Sequence, residues 1–222
     1  MHKRGIGSLF MVGMFVVGLG GPARAATEIQ RVTFKGNQVS ASFTISSNIT
    51  CPGPGGGDGI VIANGSLSGS EQVFASTGMP TFMSNGVVVD LSYFNSCTGT
   101  TIGFGSGGAP NTLTPPNKKL DSAAMVGTAT VQDFGSGLTV PVSFNVTVVG
   151  EGNTNQSKSN SKSKTVGSTG GPLQVSVSHF ANTNRGGSAT GTMSIEGFAL
   201  NPDFGFAFMN QNDNTQKTIS KF

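Results

Sequence analysis

The chain has 222 residues, of which only 10% are charged, and it contains 34 Gly, a single Tyr and no Trp. Its formal net charge is +3, but Lys3, Arg4 and Arg24 fall in an N-terminal leader, beyond which basic and acidic residues balance. A generally basic surface for nucleic acid is therefore not supported, and the abundance of Gly and hydroxylated residues argues against a helical fold.

The first 25 residues have the layout of a secretory signal peptide. A basic start is followed by an apolar run over residues 6–20, and Ala23-Arg24-Ala25 places small residues at a cleavage site. The apolar run is shorter than the roughly 20 residues that a helix needs to cross a bilayer. We predict cleavage at about Ala25–Ala26 and a mature chain that is secreted or periplasmic, with no transmembrane segment.

The mature chain opens with segments that predict short strands and a constrained loop. Residues 27–34 and 38–46 alternate apolar and polar side chains, which predicts a hairpin with Lys35-Gly36-Asn37 as its turn. Residues 52–59 are dominated by Gly and Pro and predict a loop that carries Asp58. Cys51 and Cys97 are the only cysteines, so in an oxidising compartment we expect them to form one disulfide.

The alternation is clearest in the middle of the chain. Residues 86–95 form a second strong strand, and the Gly/Pro-rich stretch 103–118 predicts another loop. In 137–150, Leu138 and Phe144 belong to a set of six apolar residues at every second position. Such a strand has one apolar face, which must pack against another layer.

A polar tract follows that strand. Residues 150–171 contain Lys158, Lys162 and Lys164 among Ser and Asn, which predicts a mobile loop. These lysines, together with Asp58, are the candidate binding residues, and their ligand would be an anionic polymer or a lipid headgroup surface. A solvated loop without a ligand is the alternative.

Near the C-terminus, Phe204, Phe206 and Phe208 alternate with small residues. A strand of this kind usually contributes its rings to the core. The alternative is an exposed apolar strand for partner binding or edge-to-edge assembly.

Together these segments predict an all-β fold. The strand count and spacing favour a two-layer antiparallel β-sandwich, with a jelly roll as one form of it. Because the strands before and after the 150–171 tract look like partners, we expect a single domain over residues 26–222.

No catalytic, metal or cofactor site emerges from the sequence. His2 leaves with the leader, so His179 is the only histidine of the mature chain, and no set of zinc ligands exists. The glycines around Asp58 lack the Lys and helix of a phosphate loop. Among the scattered acids, Asp90 and Glu196 lie within predicted strands and are the pair to examine for glycoside hydrolysis.

Four stretches resemble a loose group of secreted bacterial all-β proteins that has no assigned activity. They are VDLSYFNSCTGT (89–100), LDSAAMVGTATVQD (120–133), VPVSFNVTVVGEG (140–152) and RGGSATGTMSIEG (185–197). The resemblance implies an exported all-β fold and carries over no functional residue.

These observations favour a secreted, non-enzymatic binding or structural module at or outside the cell surface. Extracellular polysaccharide or matrix polymer is the first expected partner, bound through loops 52–59, 103–118 and 150–171. A polysaccharide hydrolase with a carboxylate pair and a self-assembling surface or fibre component are the two alternatives.

Overall fold

The computed structural model describes residues 27–166 and 173–221. These residues form eleven strands in antiparallel pairings and no helix, which confirms the predicted all-β antiparallel class. The strands are β1 (Thr27–Thr50), β2 (Asp58–Ser76), β3 (Phe82–Asn95), β4 (Thr100–Pro110), β5 (Leu113–Thr114), β6 (Ser122–Asp133), β7 (Thr139–Gly150), β8 (Asn155–Val166), β9 (Leu173–Ile195), β10 (Phe198–Leu200) and β11 (Asp203–Lys221). The predicted signal peptide and residues 167–171 of the predicted loop lie outside the described residues.

The strand pairings close the sheet on itself. The order runs β9–β11–β1–β2–β3–β4–β6–β7, and β7 pairs with β9 again. Most neighbouring strands share long ladders, but β4 and β6 are joined by only two residue pairs, Gly105 with Asp133 and Ser106 with Gln132. The junction between β4 and β6 is therefore the shortest in the ring, and we call it the seam.

The core fills the inside of this ring. In β7, Val140, Val142, Phe144, Val146 and Val148 are buried and the residues between them face outwards, as the period of two predicts. Leu138, the sixth apolar residue of that pattern, lies before the strand and is 44% exposed. The apolar faces of β1, β2, β3, β6 and β9 contribute to the same core.

The predicted hairpin turn at Lys35-Gly36-Asn37 is wrong. All three residues lie inside β1, where they pair with β2 on one side and with β11 on the other. A local turn signal is overridden here because two long ladders hold the backbone extended.

Two predicted loops also contain strands. Residues 155–166 form β8, which pairs with β9 over its whole length, although the tract was expected to be a mobile loop. Pairing uses backbone groups, so a strand needs no apolar side chain when a long partner is available. Similarly, β4 and β5 occupy much of the predicted loop 103–118.

At one end, several strands continue well beyond the core. They form a six-stranded sheet, called here the extension, that no core residue enters. Its members are β8, residues 173–184 of β9, 210–221 of β11, 27–38 of β1, 70–76 of β2 and 82–85 of β3. The inner face of the ring continues onto one face of the extension and the outer face onto the other, because each strand keeps its alternation.

Neighbouring valines on β3 provide a test of this alternation. Val89 is fully buried and Val88 is 42% exposed. We expect Val89→Ala to lower the free energy of unfolding by about 2 kcal/mol, through lost burial and a residual cavity. Val88→Ala removes the same atoms from the outer face and should cost far less. Urea denaturation of both variants measures the difference, and equal losses would contradict the assigned faces.

Candidate functional site

The predicted disulfide is present. Cys51, just after β1, is bonded to Cys97, just after β3, and the two are 46 residues apart in sequence. Asp58 begins β2 beside this bond, where it pairs with Thr50 and is exposed. The extension lies at the other end of β1, so the structure does not bring Asp58 together with the lysines of β8. A binding role for Asp58 and for the three lysines stays a prediction.

The three lysines of β8 share one face. Lys158, Lys162 and Lys164 occupy alternate positions with Asn160, whose Oδ1 contacts Nδ1 of His179 on β9. The intervening serines point the other way, where Ser161 hydrogen-bonds with Ser178. The lysines therefore lie on the face of β9 that carries His179.

Cross-strand pairing adds four more cations to this face. On β11, Lys217 pairs with Val177 of β9, and Lys221 pairs with Leu173. On β1, Arg31 pairs with Lys217, and Lys35 pairs with Asp213. All seven cations are exposed, and we call their surface the basic face. It consists of Arg31, Lys35, Lys158, Lys162, Lys164, Lys217 and Lys221.

The cations of the basic face are poorly neutralised. Asp213 and Glu71 are the acids on the same side, and Glu71 already accepts a hydrogen bond of 2.7 Å from Nδ2 of Asn37. Across residues 27–166 and 173–221, the only ion pair joins Arg185 to Asp121. Lys217 lies directly opposite Arg31, and like charges at paired positions destabilise a sheet. Such an arrangement suits an anionic ligand better than it suits the free protein.

Two shallow cavities open onto this face. One of about 270 Å³ lies where the extension meets the core and is bordered by Lys35, Lys118 and Gln211. The other, of about 460 Å³, is bordered by Arg31, Lys35 and Thr215. Both have cationic side chains at their edges, together with the carboxyl group of Asp213.

A second polar cluster lies at the disulfide end of the molecule. Glu196, in the turn between β9 and β10, accepts hydrogen bonds from Tyr93 Oη at 2.9 Å, Asn95 Nδ2 at 3.0 Å and Thr100 Oγ1 at 2.7 Å. Thr98 Oγ1 adds another at 3.1 Å. Asn95 Oδ1 accepts the N–H of Cys97, which links the cluster to the disulfide. The carboxylate thus fastens the β9–β10 turn to the end of β3.

The ionisation of this cluster follows from its contacts. Burial alone would raise the pKa of Glu196, but the hydrogen bonds from Thr100, Tyr93, Asn95 and Thr98 outweigh it and leave the pKa lowered. Burial, and then the hydrogen bond to Glu196, raise the pKa of Tyr93. Glu196 is therefore ionised at neutral pH and is an acceptor rather than a proton donor.

The structure does not assemble the carboxylate pair of a hydrolase from Asp90 and Glu196. Asp90 belongs to the outward set of β3, whereas Glu196 is bound by Tyr93 of the inward set. Asp133, another acid with little exposure, has its pKa lowered to about 2 by the side chain and backbone of Ser136, with further bonds from Phe104 and Gly103. A glycosidase needs one carboxyl with a raised pKa as its acid, whereas the pKa values of Glu196 and Asp133 are lowered.

Two absences concern residues 27–166 and 173–221, the part of the chain that the structure describes. No group of three or more His, Cys, Asp and Glu side chains could hold a metal ion there. Within the same residues, no helix has the length and apolar character needed to span a membrane.

Sequence reasoning found the β8 lysines but missed the other four cations of the basic face. Arg31 and Lys35 precede the lysines by more than a hundred positions, and Lys217 and Lys221 follow them by more than fifty. Within each strand the two cations are an even number of residues apart, so they point to the same face of that strand. For these four cations, this spacing was the only sign of the basic face in the sequence. Only the register between strands shows that the faces coincide.

These features define an all-β protein whose antiparallel sheet closes around a core and continues as a two-faced extension. Comparisons of the chain with protein-family models, with curated proteins and with solved structures found no match in any of the three. The resemblance to a loose group of secreted bacterial proteins therefore stays a prediction.

We expect the Glu196 cluster to stabilise the fold in a pH-dependent way. Since its pKa is lowered by folding, this contribution is present above the ordinary value of 4.5 and is lost as the pH falls below it. Glu196→Gln should lower the free energy of unfolding at pH 7 by about 1–3 kcal/mol, because charged-acceptor hydrogen bonds are lost. The deficit should narrow at pH 3.

Urea denaturation at the two pH values measures this difference, with Asp90→Asn as the control. That variant removes a carboxyl on the outward face of β3, away from the cluster. A Glu196→Gln deficit that stays constant between pH 7 and pH 3 would contradict the assignment.

Proposed function

We propose that this protein is a secreted, non-enzymatic binding module that holds an anionic polysaccharide or matrix polymer on its basic face. The proposal is carried by the concentration of seven exposed cations on one face of the extension, where none of them forms an ion pair among the described residues. A polyanion would replace the repulsion between cations such as Lys217 and Arg31 with attraction.

The shape of the surface favours a chain-like ligand over a small one. The cations are spread over β8, β11 and β1, with Lys162, Lys217 and Arg31 in one cross-strand row. Adjacent strands are about 4.8 Å apart, so this row alone spans about 14 Å. The cavities along it are shallow, and repeated charges along a polymer could meet several cations at once.

The expected location supports a polymer from outside the cytoplasm. The Cys51–Cys97 disulfide is consistent with an extracellular or periplasmic compartment. The predicted leader would deliver the chain there. Acidic polysaccharide is therefore preferred to nucleic acid as the polyanion, although both would respond to the same charges.

Three Ser-Lys pairs of β8 allow a test that leaves composition and net charge unchanged. Exchanging residues 157 with 158, 161 with 162, and 163 with 164 moves each lysine onto the opposite face. The variant is Ser157→Lys/Lys158→Ser/Ser161→Lys/Lys162→Ser/Ser163→Lys/Lys164→Ser. We expect its affinity for alginate to fall about tenfold, since three ionic contacts of about 0.5 kcal/mol are lost.

Affinity would be measured by isothermal titration at low and high salt, with neutral dextran and double-stranded DNA as comparison polymers. Binding to alginate should weaken as salt rises, because exposed charges are screened. Equal alginate affinity of the exchanged and native proteins would contradict the role of the basic face. Tighter binding to DNA than to any acidic polysaccharide would overturn the choice of ligand.

A further inference from the structure

The outer face of the extension differs sharply from the basic face. Its side chains are Ser, Thr, Asn, Gln and apolar residues, and Glu28 is the only charged one among the described positions of the extension. The two faces are opposite surfaces of the same strands. A ligand of the outer face would therefore be bound through hydrogen bonds and apolar contacts and not through ionic ones.

Four phenylalanines lie in one row across this outer face. Phe180 of β9 and Phe34 of β1 are separated by Asn214 of β11, and Phe34 pairs with Phe74, which in turn pairs with Phe82 of β3. Phe82 is 62% exposed, and Phe74 and Phe180 are 37% and 39% exposed. The row presents aromatic surface to solvent across the width of the sheet.

Gly36 lets the ring of Phe34 lie against the sheet. The two residues are on the same face, and a Cβ at position 36 would be 3.4 Å from Cε1 of Phe34. The ring therefore covers a position that has no side chain. The ring of Phe34 therefore lies flat on the sheet, next to the more exposed rings of the row.

A second aromatic pair lies further along β11. The register between β1 and β11 shifts between Ala41 and Phe43, so the alternation of the predicted Phe204-Phe206-Phe208 set is broken. Phe204 packs against the core, whereas Phe206 is 68% exposed and Phe208 lies on the same outward face, so the expectation that all three rings are core is wrong for Phe206 and Phe208. The ring centroids of Phe206 and Phe208 are 5.7 Å apart.

This pair borders a shallow cavity with amide groups. The cavity has a volume of about 450 Å³, and Asn184, Arg185 and Asn210 line it with the two rings. Nδ2 of Asn210 donates to Oδ1 of Asn182 at 3.2 Å, but its own Oδ1 is buried without a hydrogen-bond partner. An unsatisfied buried acceptor favours a ligand that brings a donor.

Amides fill the space between the two aromatic sets. Asn210, Asn212 and Asn214 follow Phe208 at alternate positions of β11, and Asn182 and Asn184 lie beside them on β9. From Phe208 to Asn214 the strand spans about 20 Å at about 3.3 Å per residue. The outer face thus has a strip of amide side chains with aromatic rings at both ends.

From this arrangement we infer that the outer face binds a neutral polysaccharide chain. A sugar ring offers C–H groups that lie on an aromatic face and hydroxyls that both donate and accept, as Asn and Gln side chains do. The face is nearly free of charge, which matches an uncharged ligand, and Arg185 beside the cavity is already paired with Asp121. The interruption of the rings by amides disfavours an apolar partner such as a lipid surface.

This site is separate from the basic face and does not depend on the proposed function. If both are correct, one sheet would hold an anionic polymer on one side and a neutral glycan on the other. The protein would then connect two kinds of extracellular polymer.

The experiment uses affinity gel electrophoresis of the full mature protein against dextran, galactomannan, xyloglucan and soluble starch. Binding to at least one of these is expected, with little dependence on salt. Phe206→Ala and Phe180→Ala should each weaken that binding about three- to tenfold through lost aromatic contact. Phe134→Ala is the matched control, because Phe134 is 69% exposed and lies in the β6–β7 turn, away from the outer face of β9 and β11.

The result can also refute the inference. No retardation by any of the four polymers overturns it, as does equal weakening by Phe206→Ala and Phe134→Ala. Sedimentation velocity of the same variants tests a second copy as the occupant instead. Oligomers that Phe206→Ala dissociates, with glycan binding unchanged, would assign the face to self-association and overturn the glycan site. Lys158→Ser/Lys162→Ser/Lys164→Ser removes three cations from the basic face and adds none to the outer face. It should leave glycan binding intact, so failure here is distinguishable from failure of the proposed function.

Discussion

The ladder between β1 and β11 is the constraint on which the rest of the structure depends. It runs from Thr27 opposite Lys221 to Ala41 opposite Ala207 before the register shifts. Because side chains alternate at every residue, a slip by one position would move every cation of β11 to the other face. The same ladder joins the core to the extension. The separation of charge from aromatic surface is thus a consequence of backbone register.

Much of the fold could be predicted from local patterns. The alternating apolar residues of β7 predict a strand, and the two cysteines, Cys51 and Cys97, predict one disulfide. Neither prediction depends on how the other strands pair, so both can be made from a single sequence. The strand β8 could not be predicted, because its side chains carry no apolar pattern and it is held by hydrogen bonds to the backbone of β9. The Gly-Asn signal after Lys35 failed for the same reason. Non-local pairing decided the conformation in both cases.

The functional surfaces were partly visible in the sequence. The lysines of β8 were recognisable as a group, but their association with Arg31 and Lys217 required the register of four strands. Phe206 was recognisable as unusual, yet its exposure depends on the bulge that places Gly205 and Phe206 opposite Ser42. No local rule fixes the position of such a bulge. Glu196 looked like a candidate catalytic acid until its contacts with Tyr93, Asn95 and Thr100 showed it to be a bracing group.

The thin seam between β4 and β6 has a consequence for motion. A Cβ at Gly105 would be 2.6 Å from the carbonyl oxygen of Gln132, and one at Gly107 would collide with that of Thr130, so the approach of the two backbones requires glycine. Glycine brings no side chain to hold the strands together. Besides the two residue pairs, the strands are joined by hydrogen bonds from Gly103 and Phe104 to Oδ1 of Asp133 and from Phe134 to Phe104. We expect local opening of the ring to begin at this seam, where the backbone ladder is shortest.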